Sequence, residues 1–372
     1  MREHPQPLRP QQLAQHFPPV DGAGRQGRVQ LAQGGLYGRA QGGDVVACGA
    51  RKRARRIRQN TIARGRFGRY RRSVPVDYSS SDDDNGRWLG FEHRPDDIVI
   101  STRSKTGTTW VQMICALLVF QRPELPGPLV ALSPWLDRRT VPRDVVWEEL
   151  AAQRHRRFIK THTPLDGLPL AAGVTYIVTG RHPLDTAVSL YHHSANIDRA
   201  RLSALTGRPS EGIPDGMSLR DWLRWWIAQD VTPCESLDSL PGIVHHVTDA
   251  WHQTDHRVVM VHYDDLLADL EGEMRRLADA LGIEIASDLW PELVAAARFE
   301  RMAARRDDLV PDSQGVLKDK GRFFRGGRSG EGLVLLTSED RAHYETRIDR
   351  LAVVDDVRRW LHGGRRAVGS TR

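Results

Sequence analysis

Asp97-Ile98-Val99-Ile100-Ser101 and, two residues on, Ser104-Lys105-Thr106-Gly107-Thr108-Thr109-Trp110 decide how the rest of this chain is read. The first stretch is a short apolar strand. The second is a hydroxyl-rich loop, and from Trp110 to Phe120 apolar residues occupy most faces of a helix, as expected of one packed on a sheet. Gly107 lets the backbone approach a ligand closely. Thr108 and Thr109 bring hydroxyl and N–H groups to a helix N-terminus, where anions are stabilised, and Lys105 adds a cation. A Walker A loop has its Lys directly after its second Gly. Here Lys105 precedes Gly107 and no glycine lies four or five residues upstream, so a nucleoside triphosphatase fits poorly. Anion binding and an ordinary strand–helix turn both remain open on this segment alone.

The pattern repeats downstream. Phe158-Ile159 is a second strand; Val174 to Val178 is a third, followed by a helix that starts at Pro183 and runs through Tyr191. Val258 to Val261 is a fourth, followed by a helix from about Leu266 to Leu281, with Gly282 as its stop. Such alternation implies an α/β fold of three layers, a mostly parallel central sheet with helices on both faces. Ligands bind such sheets at the C-terminal ends of the strands, which is where every motif discussed here falls. No internal repeat is present.

The chain has 372 residues, 40% of them hydrophobic, and a net charge of +7. That charge is unevenly placed. Residues 1–75 carry 16 Lys/Arg against 3 Asp/Glu, so the remainder is mildly acidic. The predicted organisation is a basic disordered N-terminal extension over residues 1–76, one large domain over 77–364 and a flexible tail over 365–372. The extension is rich in Gln, Gly, Pro and Arg, with a cluster from Arg51 to Arg58, and cannot bury enough surface to offset its chain entropy. It reads as an arm for nucleic acid or an anionic surface, as a solvated tail, or as translated sequence ahead of the true start; a nucleic-acid partner is disfavoured. No run of 18 apolar residues predicts a spanning helix, and no apolar stretch follows the N-terminal basic residues as in a signal peptide. Cys48, Cys115 and Cys234 lie far apart, which suits reduced thiols and a cytoplasmic setting.

Two further stretches carry chemistry. Lys160-Thr161-His162 ends the second strand beside the anion loop, where an imidazole can take a proton near neutral pH. His192, His193, His245 and His246 read as partly buried or surface histidines. Arg181 leaves the third strand, and Ser189 lies two turns into the next helix; a guanidinium fork with a hydroxyl suits a phosphate monoester. Alternatively, Arg181 pairs with Asp185 and caps that helix.

These stretches together resemble the cytosolic-type sulfotransferases. Lys105 to Trp110 is similar to the family's Lys-Ser-Gly-Thr-Thr-Trp loop, and Lys160-Thr161-His162 to its Lys-Thr-His strand end. Arg181 to Ser189 resembles its Arg-(Asn/Asp)-Pro-x-Asp-x-x-Val-Ser signature, and Tyr263-Asp264-Asp265 its Tyr-Glu-Asp strand end. Phe299 and Met302 match a Ser-Phe-x-x-Met adenine segment. The stretch Phe323-Phe324-Arg325-Gly326-Gly327 through Gly332 resembles an Arg-Lys-Gly-x-x-Gly-Asp-Trp phosphate clasp, with Gly326, Glu331 and Gly332 replacing the Lys, Asp and Trp. The resemblance spans about residues 80 to 362. The phrases Leu125 to Pro128 and Ser133 to Asp137 look like the actinobacterial branch often called glycolipid sulfotransferases.

The resemblance implies the P-loop NTPase-like sulfotransferase fold and 3′-phosphoadenosine 5′-phosphosulfate (PAPS) as co-substrate, without a metal. It implies His162 as general base, with Lys105 and Lys160 at the reacting group. The implied donor contacts are Lys105, Thr106, Gly107, Thr108, Thr109, Trp110, Arg181, Ser189, Tyr263, Phe299, Met302 and Phe323 through Gly327. The acceptor would be the hydroxyl of a small molecule or glycolipid, held by residues 120–150 and 196–250, the second stretch carrying Trp222, Trp225 and Trp226, with Trp251 at its end. The family's dimer motif is not recognisable near residues 333–342, so the oligomeric state stays open. A kinase-like phosphotransferase and a non-catalytic nucleotide- or nucleic-acid-binding protein are the rival classes.

Overall fold

Ile98–Thr102 forms strand β1, and every residue in it is buried. With β2 (Phe158–Thr161), β3 (Thr175–Gly180) and β4 (Arg257–His262) it builds one parallel sheet in the order β2-β1-β3-β4. Val99 lies opposite Ile159 on one side and Tyr176 on the other, so β1 is flanked by β2, which leads into His162, and by β3, which leads into Arg181. The computed structural model describes residues 75–352 and 354–369. The basic cluster at 51–58, Cys48 and all but the last two residues of the expected extension lie outside the described residues.

In chain order the helices are α1 (Thr108–Phe120), α2 (Leu129–Leu132), α3 (Arg143–Ala152), α4 (Pro183–Ala195), α5 (Arg199–Thr206), α6 (Leu219–Ala228), α7 (Leu240–His252) and α8 (Tyr263–Ala268). They continue with α9 (Leu270–Leu281), α10 (Trp290–Ala296), α11 (Phe299–Ala304), α12 (Arg306–Leu309), α13 (Glu331–Leu335), α14 (Ser338–Leu351), α15 (Asp355–Gly363) and α16 (Arg365–Val368).

The sheet is covered on both faces, and the period-two alternation of its strands decides what each face meets. Ile98, Ile100, Ile177 and Val261 pack against α1, α9 and α10. Val99, Ile159, Tyr176 and Val178 pack on the other face with Leu136, Leu150, Leu165 and Ala250. A third apolar cluster joins α4, α6, α7, α14 and α15 around Trp222, Tyr344 and Trp360. Strands buried on both faces read as continuous apolar runs, which is why they are visible in the sequence.

Two boundaries differ from the sequence reading. The single helix expected from Leu266 to Leu281 is broken: Asp269 leaves the helical region (φ −149°, ψ 76°), and its carboxylate accepts the Gly272 N–H to cap α9 afresh. A short acid that bonds the backbone locally favours a cap over a helix interior. Gly282 ends α9 in the left-handed region, as expected. The stretch read as a flexible tail opens instead with α16, anchored where the Arg365 N–H donates to Asp265 (2.8 Å) and its guanidinium pairs with Glu273 (2.9 Å).

The exit of β3 is tightly packed. A β-carbon at Gly180 would lie 2.2 Å from the indole of Trp360. Gly180→Ala should therefore destabilise the fold by about 1–3 kcal/mol, the scale of an overpacked core, whereas Gly127→Ala, in the loop before α2 with open space around it and no left-handed φ, should not. Urea midpoints of the two variants would check this; a Gly180→Ala protein as stable as its parent would show that the Trp360 contact relaxes freely.

Candidate active site

Gly107 caps α1 in the left-handed region (φ 103°), and Lys105 before it is also left-handed (φ 67°). The turn is held from inside by its hydroxyls. Thr106 Oγ1 donates to the Arg103 carbonyl (2.7 Å) and meets Thr179 Oγ1 of β3 (2.6 Å); Thr108 Oγ1 meets Thr102 Oγ1 of β1 (2.7 Å). The first N–H groups of a helix have no intrahelical acceptor, so the loop offers N–H groups and Lys105 outward. Trp110 fastens the loop to the C-terminal region: its indole N–H donates to the Ala297 carbonyl (2.8 Å) and its ring meets Tyr263 edge-on (5.3 Å).

Arg181, at the exit of β3, donates to the carbonyls of Lys105 (3.3 Å) and Arg328 (2.7 Å) and stacks over Tyr263 (4.2 Å). It does not pair with Asp185. The α4 cap is His182, whose side chain accepts the Leu184 N–H (3.2 Å). The Asp185 carboxylate instead accepts the N–H groups of Gly330 (2.7 Å) and Gly332 (2.8 Å), clamping the 323–331 loop onto α4. At Gly332 a β-carbon would lie 2.6 Å from the Leu184 backbone, which is why a side chain cannot stand there. Arg325 forks onto Glu331 (2.9 and 2.5 Å), Phe323 lies under Lys105 Nζ (4.3 Å), and Phe324 meets Phe299 (6.0 Å).

On the other side of β1, residues 134–136 run along the outer edge of β2: Lys160 N–H donates to the Pro134 carbonyl (3.0 Å), and Leu136 N–H to the Lys160 carbonyl (3.3 Å). This brings Trp135 beside Lys160, whose Nζ sits 3.5 Å from the indole centre, and beside His162, whose ring meets it edge-on at 4.5 Å. It also places Asp137 under the end of the strand. That fully buried carboxylate accepts the hydroxyls of Thr161 (2.5 Å) and Thr163 (2.8 Å) and the N–H of His162 (3.3 Å). Burial raises its pKa, and the two hydroxyl donors oppose that rise.

His162 Nδ1 lies 2.6 Å from the Thr102 carbonyl. A carbonyl can only accept, so Nδ1 carries the hydrogen and Nε2 is left with its lone pair. Burial, then the charges of Lys160 and Arg103, hold the imidazole well below the ordinary histidine pKa, and it is neutral at neutral pH. Burial and Arg138 push Lys160 down to about 7. Burial, then Arg181 and Arg325, push Lys105 down to about 8. Crowded, partly desolvated cations that lower one another's pKa mark a site where an anion would restore their charge.

Every catalytic and donor-binding residue nominated from the sequence except Thr106 lines one cleft of about 1210 Å³ at the C-terminal ends of the strands. Thr106 is buried behind it. Trp222, Trp225 and Trp226 line the same cleft, but Trp251 packs against Trp360 in the core. From residues 120–150 only Trp135 and Arg138 reach it. His246 donates from the core to the Ser101 carbonyl (3.2 Å), and His245 bonds Tyr78 (2.9 Å) and Asp166 (3.1 Å). His193, however, faces the cleft, and the sequence reading missed it. Its spacing of four from Ser189 was the available signal. Asp137 was missed as well, although it closes the Ser133-to-Asp137 phrase.

Residues 95–352 match the family described as the Sulfotransferase domain. A glycolipid sulfotransferase of Mycobacterium bovis is 38% identical over 312 residues, covering 78% of this chain and 95% of the relative. Among solved structures, retinol dehydratase in complex with androsterone and the inactive cofactor PAP superposes with a TM-score of 0.54 at 21% identity, over 72% of this chain and 83% of that one. A mouse sulfotransferase complexed with PAP gives 0.54 at 20%, over 74% and 91%. These two share the fold. No helix among the described residues is long and apolar enough to cross a membrane.

Asp137→Ala should leave two hydroxyls and the His162 N–H short of an acceptor inside the protein, and cost about 2–3 kcal/mol of stability. Urea unfolding would measure it. A loss below about 0.5 kcal/mol would mean that water or Asp83 takes over these bonds.

Proposed function

The chain belongs to the sulfotransferase family, and from that premise we propose that it moves a sulfuryl group from PAPS to an alcohol with His162 as general base. The observation that carries this reading is the free Nε2 of His162, fixed by the Nδ1–Thr102 bond, in the same cleft as the Lys105 loop. Arg181 and Ser189 would hold the 3′-phosphate of the donor, and Phe299, Met302 and Phe324 its adenine. The PAP in two proteins of the same fold supports such a donor. A glycolipid acceptor is supported by the similarity to the mycobacterial enzyme.

In this scheme His162 Nε2 takes the proton of the acceptor hydroxyl as its oxygen forms a bond to sulfur. The bond from sulfur to the bridging oxygen of the donor breaks, and the electron pair stays on the departing phosphate. Lys105 and the N–H groups at the start of α1 face that developing charge, and Lys160 the sulfuryl oxygens; preorganised cations and dipoles of this kind stabilise charge as it forms. Asp137 fixes the main chain that carries His162.

His162→Ala should lower transfer to an aliphatic alcohol by roughly 10²–10⁴-fold, the usual cost of losing a general base, while affinity for PAP stays within a few-fold. An acidic phenol, which can ionise unaided, should suffer less. Transfer of labelled sulfate and calorimetry of PAP binding would separate the two; a variant with full turnover on alcohols would exclude His162 as the base.

PAP binding should also respond to pH. A lysine that gains an anionic neighbour on binding has a higher pKa in the complex than in the free protein, so binding takes up protons between the two values. With Lys160 near 7 and Lys105 near 8 in the free cleft, affinity should weaken as pH rises from about 7 towards 9. Calorimetry in buffers of different ionisation enthalpy should report net uptake. An affinity flat across that range would show both lysines already charged in the free protein.

A further inference from the structure

The acceptor side of the cleft has two unlike walls. One is apolar: Ile213, Pro214, Trp222, Trp225, Val334 and Leu335 line it. Trp225 and Val334 are 49% and 79% exposed, so this wall runs out to the surface. The other is polar and of mixed charge, with Asp82, Asp83 and Glu211 facing the same space as Arg138, Arg199 and His193.

The polar wall adjoins the reacting groups. Arg138 stacks on Trp135 (4.6 Å), the same indole that Lys160 Nζ covers and that His162 meets edge-on. Asp83 is bridged main chain to main chain with Arg138. The turn that carries Asp83 is held at both ends. Tyr78 donates to Asp166 (3.0 Å), and Asp84 pairs with Arg139 (3.0 Å). From across the cleft comes His193, one turn beyond Ser189 on the same face of α4. Its imidazole makes no hydrogen bond among the described residues. Burial and the charges of Lys105, Lys160, Arg138 and Arg199 keep its imidazole neutral, so it presents one donor and one acceptor.

We propose that His193, Asp83 and Arg138 form a polyol subsite that holds the hydroxyl-rich headgroup of an amphiphilic acceptor beside His162, while the indole wall of α6 takes its apolar chain. The chemistry of the wall selects that class. An anionic headgroup would meet Asp82 and Glu211, and a cationic one Arg138 and Arg199; burial pushes the Asp83 carboxyl up, so it offers a hydrogen bond rather than a charge. Neighbouring hydroxyls can donate to the carboxyl and the imidazole and accept from the guanidinium. The direction of the headgroup rests on the sulfuryl-transfer reading above; the subsite itself does not.

Hexyl β-D-glucoside and 1-hexanol differ only in the polyol head and test the inference directly. Their binding to PAP-loaded protein would be measured by calorimetry and their sulfation from PAPS by label transfer. The wild type should favour the glucoside by at least about tenfold, the scale of one or two hydrogen bonds, one of them to a charged group. His193→Phe and Asp83→Ala should each reduce that preference by about tenfold, and His193→Gln, which keeps a donor and an acceptor, should restore part of it. PAP affinity and melting temperature report whether each variant is folded; His193→Phe alone is decisive if Asp83→Ala is not. A wild type without preference, or a preference unchanged in folded His193→Phe, would overturn the subsite. A glucoside preference in binding without transfer to either alcohol would support the subsite and refute the transfer reading.

Discussion

The bond from His162 Nδ1 to the Thr102 carbonyl joins the exits of two neighbouring parallel strands. Much of the site depends on it. It fixes the imidazole tautomer and so decides which nitrogen can act as a base. It also sets the distance between that nitrogen and the anion loop, because Thr102 is the last residue of the strand from which the loop departs. Thr102 makes a second tie through its hydroxyl, to Thr108 in the first turn of α1. One residue thus ties the His162 imidazole and the start of α1 to the same strand end.

Such a site gathers more positive charge than it neutralises. Lys105, Lys160, Arg181 and Arg325 share one cleft, and the nearby acids are spent on geometry. Asp137 lies under the β2 exit, bonding three donors, and Asp185 ties the 323–331 loop to α4 through two N–H groups. Glu331 and Asp238 pair directly with Arg325 and Arg103, and Asp82, Asp83 and Glu211 stand on the far wall of the cleft. An anionic ligand would supply what the protein withholds. Mutual repulsion among desolvated cations costs stability in the free protein, and this is a common feature of sites shaped for a charged ligand.

The departures from the family's clasp motif also find a physical account. Glycine at 332 lets α13 approach α4 until backbone meets backbone, and Asp185 fills the gap with hydrogen bonds. Glu331 is one methylene longer than Asp and reaches Arg325 as a fork. The loop therefore keeps an anchored form with a different set of contacts.

The sequence by itself determined the layers and the strand exits. Doubly buried parallel strands are largely apolar, and a loop bearing Lys105 and Gly107 before a helix carries the groups an anion site needs. Strand–helix alternation, Gly282 as a stop, and the Lys105, His162 and Arg181 positions were legible because each depends on near neighbours in the chain. Tertiary structure alone decided the rest. Asp185 was available to Arg181 by spacing, yet bonds Gly330 and Gly332, which are far off in sequence. Trp251 looked like its three neighbours but faces Trp360. Asp137 and His193 look unremarkable until a strand edge and a helix face carry them into the cleft. A local pattern records which groups a backbone can present, whereas the partner each group finds depends on which distant segment the packed core brings within 3 Å.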